Sequence, residues 1–385
     1  MSIEGSLQIK LTVRNNAVDE VAISSSRPVH AAKIFKGKSV DETLELIPML
    51  FSICGTAQAC AAVSAIEKAT GRGSSDQTQR LRHALVRMET LREHLWRILL
   101  EWPQFVGEQS DQQCLVEVSS IQQNYRQAIC PEGDVFQLKE HNIVVDTTLL
   151  ESVIQRLLVL LQDKLFCMPP QQWLAISGQA SFSAWLESCP SDAAKLISWV
   201  MEQGWAGVGA CEVESLPTLD QQGLNTALQE PEFVERPQWN EHCCETSCQT
   251  RNDSSLLTAL QQQYGNGLLV RLVARLTEIA RMSGRLQPDD EMISEASPPL
   301  AADDTGIGQV AAARGQLVHR VAIDEDEVTN YQILAPTEWN FHPWGVVSRS
   351  LSTLQGDSQT MEKQAHMLIN AIDPCVGYEL QIVQG

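Results

Sequence analysis

Two groups of cysteines in this 385-residue chain have the residue types for metal or thiol chemistry. The dense group is "HCCETSC" (242–248), with one histidine and three cysteines in seven residues. Soft thiolates and imidazole suit zinc or an iron–sulfur cluster. A structural zinc site usually brings two such pairs separated by a loop, and no second Cys-x-x-Cys lies nearby. A structural role for His242, Cys243, Cys244 and Cys248 therefore competes with metal binding. The sparse group is Cys54 and Cys375, 375 − 54 = 321 residues apart. Cys54 opens the small-residue stretch "CGTAQACAAVSA", where the positive end of a helix would stabilise a thiolate and favour metal ligation. Cys375 follows Asp-Pro in "IDPCVGYELQIVQG", ten residues from the last one. Taken singly, such cysteines are more often small buried hydrophobes. As one site, their sulfurs have to come within the reach of a shared metal or a disulfide.

The remaining candidates are weaker. The glycines of "GWAGVGA" (204–210) are not spaced as a phosphate loop, and the segment reads as a turn. The histidines at 83, 94, 141, 242, 319 and 342 show no partner spacing and read as surface or capping residues.

Composition narrows the function classes. Lys and Arg number 28 against 48 Asp and Glu, a formal charge of −20. Such an acidic balance argues against non-specific binding to nucleic acid or to an anionic membrane surface. The eleven cysteines lack the spacing of a disulfide framework. "MSIEGSLQIK" has no apolar h-region, and "RLLVLLQDKL" falls far short of a membrane span. The expectation is a cytoplasmic protein with most thiols free.

The elements that position these residues are legible as an α+β chain. "LQIKLTV" alternates at the strand period, "RNNA" reads as a turn, and "VDEVAI" returns as the second strand of a hairpin. Helical texture starts near Asp41, with Pro48 interrupting early and Gly71 placed to end it. Residues 76–102 carry Leu81, Leu85, Met88, Leu91, Leu95 and Leu99 at helical spacing. Helices are also expected over 148–165, about 171–203, 254–282 and 359–371. The division expected is an N-terminal β region (1–40), a helical bundle (41–283), an acidic loop (284–306) and a C-terminal part (307–385). That last part holds a β-hairpin and a terminal helix closing on the core.

Read together, the motifs resemble the large subunit of nickel-iron hydrogenases. "SIEGSLQIKLTV" is similar to that family's opening Arg-Ile-Glu-Gly-His strand, keeping Glu4 and Gly5. "SICGTAQACAA" resembles Arg-x-Cys-Gly-x-Cys-x-x-x-His, keeping Cys54 and Gly55 but with Ser52, Ala57 and Ala61 at the other positions. "ETSCQTR" resembles Glu-Thr-Gly-x-x-x-Arg, which makes Cys248 a local substitution in a structural stretch. "AAARGQLVH" is similar to Ala-Pro-Arg-Gly and keeps Arg314. "NYQILAPTEWNFHP" keeps Tyr331, Gln332, Pro336, Thr337, Trp339 and Asn340 of a Tyr-Gln-x-x-x-Pro-Thr-Thr-Trp-Asn stretch. "DPCVGYELQ" resembles Asp-Pro-Cys-x-x-Cys-x-x-His, keeping Asp373, Pro374 and Cys375, with Tyr378 and Gln381 replacing the later ligands.

The resemblance implies a hydrogenase large-subunit-like fold and also a lost activity. In the enzymes four thiolates hold nickel and two of them bridge to an iron carrying cyanide and carbon monoxide. With Ala57 and Tyr378 in the bridging positions, no nickel and no catalytic residue is expected. The chain also ends four residues after Gln381, without the peptide that follows this motif in catalytic subunits. The iron-ligand pocket is better kept: the resemblance puts Arg314 against the diatomic ligands, Thr337 as a hydroxyl donor and Pro336 as an apolar wall. The pattern is similar to hydrogenase expression/formation proteins, which implies an assembly scaffold. Such a scaffold would transiently hold an Fe(CN)2(CO) fragment through Cys54 and Cys375. The implied partners are the hydrogenase large-subunit precursor and small carrier-type maturation chaperones. A metal-free protein–protein chaperone remains an alternative. A relative of the quinone-binding subunit of respiratory complex I is another, which the two cysteines argue against.

Overall fold

Two asparagines turn the first strand back on the second. Asn15 and Asn16 take φ of 51° and 59°, the left-handed pair that a tight hairpin prefers. They join β1 (Ser6–Arg14) to the antiparallel β2 (Ala17–Ser25). Leu7, Ile9, Leu11 and Val13 alternate inward along β1 and are buried. The computed structural model describes residues 5–28, 31–51, 53–131, 135–138, 143–230, 232–288 and 304–385.

The last strand completes this sheet. β8 (Gly377–Gln384) pairs parallel to β1 from Ser6↔Gly377 to Val13↔Gln384, giving the order β2-β1-β8. The expected terminal helix is therefore not the last element. A strand follows it, because "YELQIV" alternates at the strand period and satisfies the free edge of β1. Cys375 stands two residues before that pairing begins.

Between these ends lies the helical part. Ser39 and Glu42 form a reciprocal cap on α1 (Val40–Leu50), which Pro48 leads to its end. Next come α2 (Gly55–Thr70), closed by left-handed Gly71, and α3 (Asp76–Trp96). α3 continues through a π-turn (Arg97–Glu101) into α4 (Trp102–Phe105). The apolar stripe from Leu81 to Leu99 is buried as its spacing predicts. α5 (Gln112–Ile129) and α6 (Thr147–Leu161) pack together. The helical stretch expected over 171–203 is three pieces, α7 (Pro170–Leu174), α8 (Gln179–Ser188) and α9 (Asp192–Glu202). Cys167 and Cys189 form a disulfide in this region, an exception to the free thiols expected.

The "GWAGVGA" segment is a turn, and it hands Ala206 and Val208 carbonyls to the first amides of α13. Beyond it lie β3 (Glu214–Ser215), α10 (Gln221–Ala227), β4 (Cys244–Glu245), α11 (Cys248–Arg251), α12 (Ser255–Tyr264) and α13 (Leu268–Ser283). α13 is buried on nearly all sides, as a central helix must be. Residues 289–303 of the acidic loop lie outside the described residues, and its expected end at 306 falls within a strand.

The expected C-terminal hairpin is a three-stranded meander, β5 (Thr305–Ala312), β6 (Gly315–Asp324) and β7 (Glu327–Leu334). β5 carries glycines where a strand prefers branched residues, which hides it in the sequence. A Cβ on Gly306 or Gly308 would lie 1.9 Å from the Ala65 or Ala61 carbonyl oxygen. Only glycine lets β5 lie directly on α2, whose facing residues Ala61 and Ala65 are equally small. α14 (Pro336–Asn340), α15 (Val346–Ser352) and α16 (Ser358–Ile372) follow.

Candidate metal-fragment site

This layering brings the start of α2, the β5–β6 turn, α14 and the end of α16 to one place. Cys54 is the residue before α2, Arg314 lies in the two-residue β5–β6 turn, and Pro336 begins α14. Cys375 follows α16 by way of Asp373, which takes φ of 70° and so ends the helix. Cys54, Cys375, Arg314 and Pro336 all line one recess of about 880 Å³, counting the space at its mouth. Most of the remaining wall is apolar, including Phe51, Ile53, Ala313 and Leu317. Both cysteines are free thiols.

Thr337 is the exception among the expected site residues. It does not line the recess but stands behind Cys375, its hydroxyl 3.0 Å from the Cys375 sulfur. The α14 turn exposes Pro336 and rotates the next residue away. The Cys375 amide donates to the same Thr337 oxygen at 3.3 Å. A hydroxyl that accepts this amide keeps its proton free to donate to the sulfur.

Ion pairs hold the floor. The buried Asp373 carboxylate forms ion pairs with Arg97 at 2.9 Å, Arg314 at 3.2 Å and Arg275 at 3.5 Å. Burial alone would raise its pKa, but these three cations, Arg314 first, hold it well below the usual carboxylate range. Arg314 also donates from Nη2 to Glu93 at 3.0 Å. Burial works against its charge, and Asp373 and Glu93 outweigh that, so it stays a cation. Its Nη1 enters neither of these bonds and is left as the donor available at the recess. Arg92 and Glu101 complete the network.

The helix-terminus argument for Cys54 needs correction. The first amides of α2 are already taken, with Thr56 and Ala57 donating to the Glu89 carboxylate at 2.7 and 2.9 Å. Burial first, then the neighbouring Cys375 and Glu89, push the Cys54 thiol up to about 12. An empty site therefore holds a neutral thiol, and a cation must enter to convert it to thiolate.

Residues that sequence reasoning missed surround this core. Glu89, Glu93 and Arg97 recur at four-residue intervals along one face of α3 and its π-turn, a polar stripe on an otherwise apolar helix that was visible as a signal. Arg27 pairs with Glu338 at 2.9 Å, and both line the recess. Burial raises the Glu338 pKa. Asn340 donates to the Thr246 and Arg314 carbonyls, at 2.7 and 3.3 Å, tying the "ETSC" segment to the β5–β6 turn.

The dense cysteine group does not converge. Cys243 contacts His342 Nδ1 at 3.2 Å, and Cys244 turns to the His242 carbonyl at 3.6 Å. Cys248 leaves both and joins His94 and Glu278 in the core. Both Glu278 oxygens are occupied there, by Arg251 at 2.5 and 2.7 Å, with His94 at 2.7 Å and Asn252 at 3.2 Å. The histidines also differ from expectation. His94, His319 and His342 are buried rather than superficial, because each finds a polar partner inside. His141 lies outside the described residues.

Comparison with known proteins follows the same geometry. Residues 258–377 match the family described as nickel-dependent hydrogenase. Nearly the whole chain is similar to the hydrogenase expression/formation protein HoxV of Cupriavidus necator, 27% identical over 97% of this chain and 96% of that one. It is 26% identical to the hydrogenase expression/formation protein HupK of Azotobacter vinelandii, covering 98% and 99%. The fold of the chain is hydrogenase large-subunit-like. Its fold matches the Ni-Fe-Se hydrogenase from D. vulgaris Hildenborough with a TM-score of 0.66 at 15% identity, covering 97% and 96%. An NAD+-reducing [NiFe]-hydrogenase matches with a TM-score of 0.64 at 13% identity, covering 94% of each chain.

Within this large-subunit-like frame, the two replaced bridging positions have other duties. Ala57 is buried at the α2 start, and the Tyr378 hydroxyl bonds His366 Nδ1 at 2.8 Å. Among the described residues the recess is lined by two cysteines, Cys54 and Cys375. The donor set fits one soft metal held by two sulfurs, with an apolar wall and one guanidinium for its other ligands. It does not make a four-thiolate nickel site.

Proposed function

We propose that this chain is an assembly factor for nickel-iron hydrogenases that holds an Fe(CN)2(CO) fragment between Cys54 and Cys375. The fragment then passes to the hydrogenase large-subunit precursor. The observation that carries this reading is the meeting of Cys54, Cys375, Arg314 and Pro336 around one recess. Iron carrying cyanide and carbonyl is soft, which suits two thiolates. The Arg314 amino group left free by Asp373 and Glu93 is placed to donate to a cyanide nitrogen, a charge-assisted bond. Pro336 and its apolar neighbours supply the dry wall that a carbonyl ligand needs. The names of the relatives, hydrogenase expression/formation proteins, support the same role.

No nickel is bound and no catalytic step is assigned. The partners are the large-subunit precursor and small carrier-type maturation chaperones. Infrared spectroscopy of the full-length chain, purified anaerobically with its maturation partners, tests the reading. Cyanide and carbonyl stretching bands are expected, and both are expected to vanish in Cys54→Ser and Cys375→Ser. Protein without such bands would have no carrier role and would act as a metal-free chaperone.

A further inference from the structure

A chain of buried hydrogen bonds runs from the Cys54 sulfur away from the recess. Gln58 lies one turn along α2, which returns its side chain over Cys54, and its Nε2 is 3.5 Å from the sulfur. The Gln58 Oε1 is 2.7 Å from His319 Nε2, and His319 Nδ1 is 2.8 Å from the Tyr331 hydroxyl. Gln58 is 3% exposed, His319 0% and Tyr331 2%. His319 and Tyr331 sit on the same face of adjacent strands, since His319 pairs with Ile333 two residues away. Phe35 seals the far end, 5.0 Å from the Tyr331 ring centre.

We infer that Gln58 is a positioning residue, held by His319 and Tyr331 so that its amide donates to Cys54 as a metal-bound sulfur. The inference rests on the reading that Cys54 holds the metal fragment. Its logic is one of polarity. A neutral imidazole carries one N–H. The Gln58 carbonyl oxygen only accepts, so His319 must carry its proton on Nε2. Nδ1 is then the acceptor, and the tyrosine hydroxyl donates to it. With its oxygen occupied, Gln58 presents N–H to the sulfur.

The reverse polarity also closes. A Cys54 S–H would donate to the Gln58 oxygen, Gln58 to His319 Nε2, and His319 Nδ1–H to Tyr331. That arrangement suits a thiol, whereas the first, with Gln58 Nε2 toward the sulfur, suits a sulfur that accepts. The second sulfur has a matching neighbour, because the Thr337 hydroxyl accepts the Cys375 amide and keeps its proton free to donate to the Cys375 sulfur. Each ligand thus has a polar partner, Gln58 in the recess wall and Thr337 behind it. Such outer partners orient a ligand and typically change metal affinity about 10- to 100-fold.

Cobalt(II) added to the anaerobic full-length chain is the probe, read through its thiolate charge-transfer absorption. The component lost in Cys54→Ser reports this site. Gln58→Leu is expected to weaken cobalt binding about tenfold or more and to move that component to lower energy. Tyr331→Phe keeps the packing and is expected to shift it in the same direction by less. A Cys54-dependent component with unchanged energy and affinity in both variants would overturn the relay while leaving the site intact. A spectrum with no component dependent on Cys54 would remove the site reading and the relay with it. Near-ultraviolet circular dichroism identifies any variant that has lost its packing, and Tyr331→Phe then decides.

Discussion

The two cysteine-bearing regions differ in what lies in front of their sulfurs. At the recess, Cys54 has Gln58 and Cys375 has Thr337 as polar partners, and both sulfurs line open volume. Around Glu278, Cys248 is sealed among Arg251, His94 and Asn252, which already satisfy the carboxylate. Both regions contain a buried carboxylate with arginine partners. Asp373 braces a recess that both sulfurs line, whereas the cavity beside Glu278 is lined by Arg251 and Asn252 and not by Cys248. A metal entering the second region would have to displace a guanidinium bonded to both carboxylate oxygens. Convergent side chains alone therefore do not make a site; unfilled donors beside accessible volume do.

The comparison breaks most visibly if one of the two carboxylates is neutralised. Asp373→Asn leaves Arg97, Arg275 and Arg314 short of a counter-charge in the core, at a cost of about 4 kcal/mol or more. Glu278→Gln is expected to cost less, about 3 kcal/mol, because Arg251 keeps its bonds to the Ala312 and Ala313 carbonyls. Denaturant midpoints measure both. The infrared bands separate them: Asp373→Asn is expected to lose the cyanide and carbonyl signals, and Glu278→Gln to keep them. Bands that vanish in Glu278→Gln while surviving in Asp373→Asn would invert the assignment of the two regions.

A smaller effect concerns pH. Burial holds the His319 imidazole neutral and lowers its pKa to about 3. The unfolded chain takes up that proton as pH falls below about 6.5, while the folded chain does not until about 3. The stability present above pH 6.5 is therefore lost as pH falls toward 3, with a slope of at most about 1.4 kcal/mol per pH unit. His94, also lowered by burial, adds in the same direction. Denaturant midpoints between pH 7 and pH 5 should fall less steeply in His319→Gln than in the unmodified chain. Parallel slopes would mean that His319 takes up its second proton in the folded chain as readily as in the unfolded one, which the relay to Cys54 does not allow.

Strands and helices with strict periodicity were legible from the residues, as with the β1–β2 hairpin and the Leu81–Leu99 stripe. β5 was not, because its glycines serve a tertiary contact with α2 and carry no strand signal. β8 was passed over because its pairing partner is the first strand, a contact between opposite ends of the chain. The Cys54–Cys375 association came from motif resemblance and was visible in no local pattern. The reverse error was built into "HCCETSC". Short spacing invites a cluster, but β4 and α11 send successive side chains to different sides. The buried charges Glu89, Glu93 and Arg97 were overlooked because polar residues on a long helix usually face solvent.

The mildest change isolates one sulfur. Thr337→Val keeps the shape of the side chain and removes the hydroxyl that accepts the Cys375 amide and faces its sulfur. The lost bond costs about 1 kcal/mol. Where the hydroxyl donates to the sulfur, its loss should slow alkylation of Cys375 by iodoacetamide several-fold. Thr337→Ser, which keeps the hydroxyl, should restore the rate, and Cys54, Cys243 and Cys248 should react as before in both variants. Peptide mass spectrometry reads each site separately. Faster alkylation of Cys375 in Thr337→Val would mean that the hydroxyl shields the sulfur sterically and donates nothing to it. The recess would then hold one donor-supported sulfur, and Cys54 would carry the metal fragment as its principal ligand.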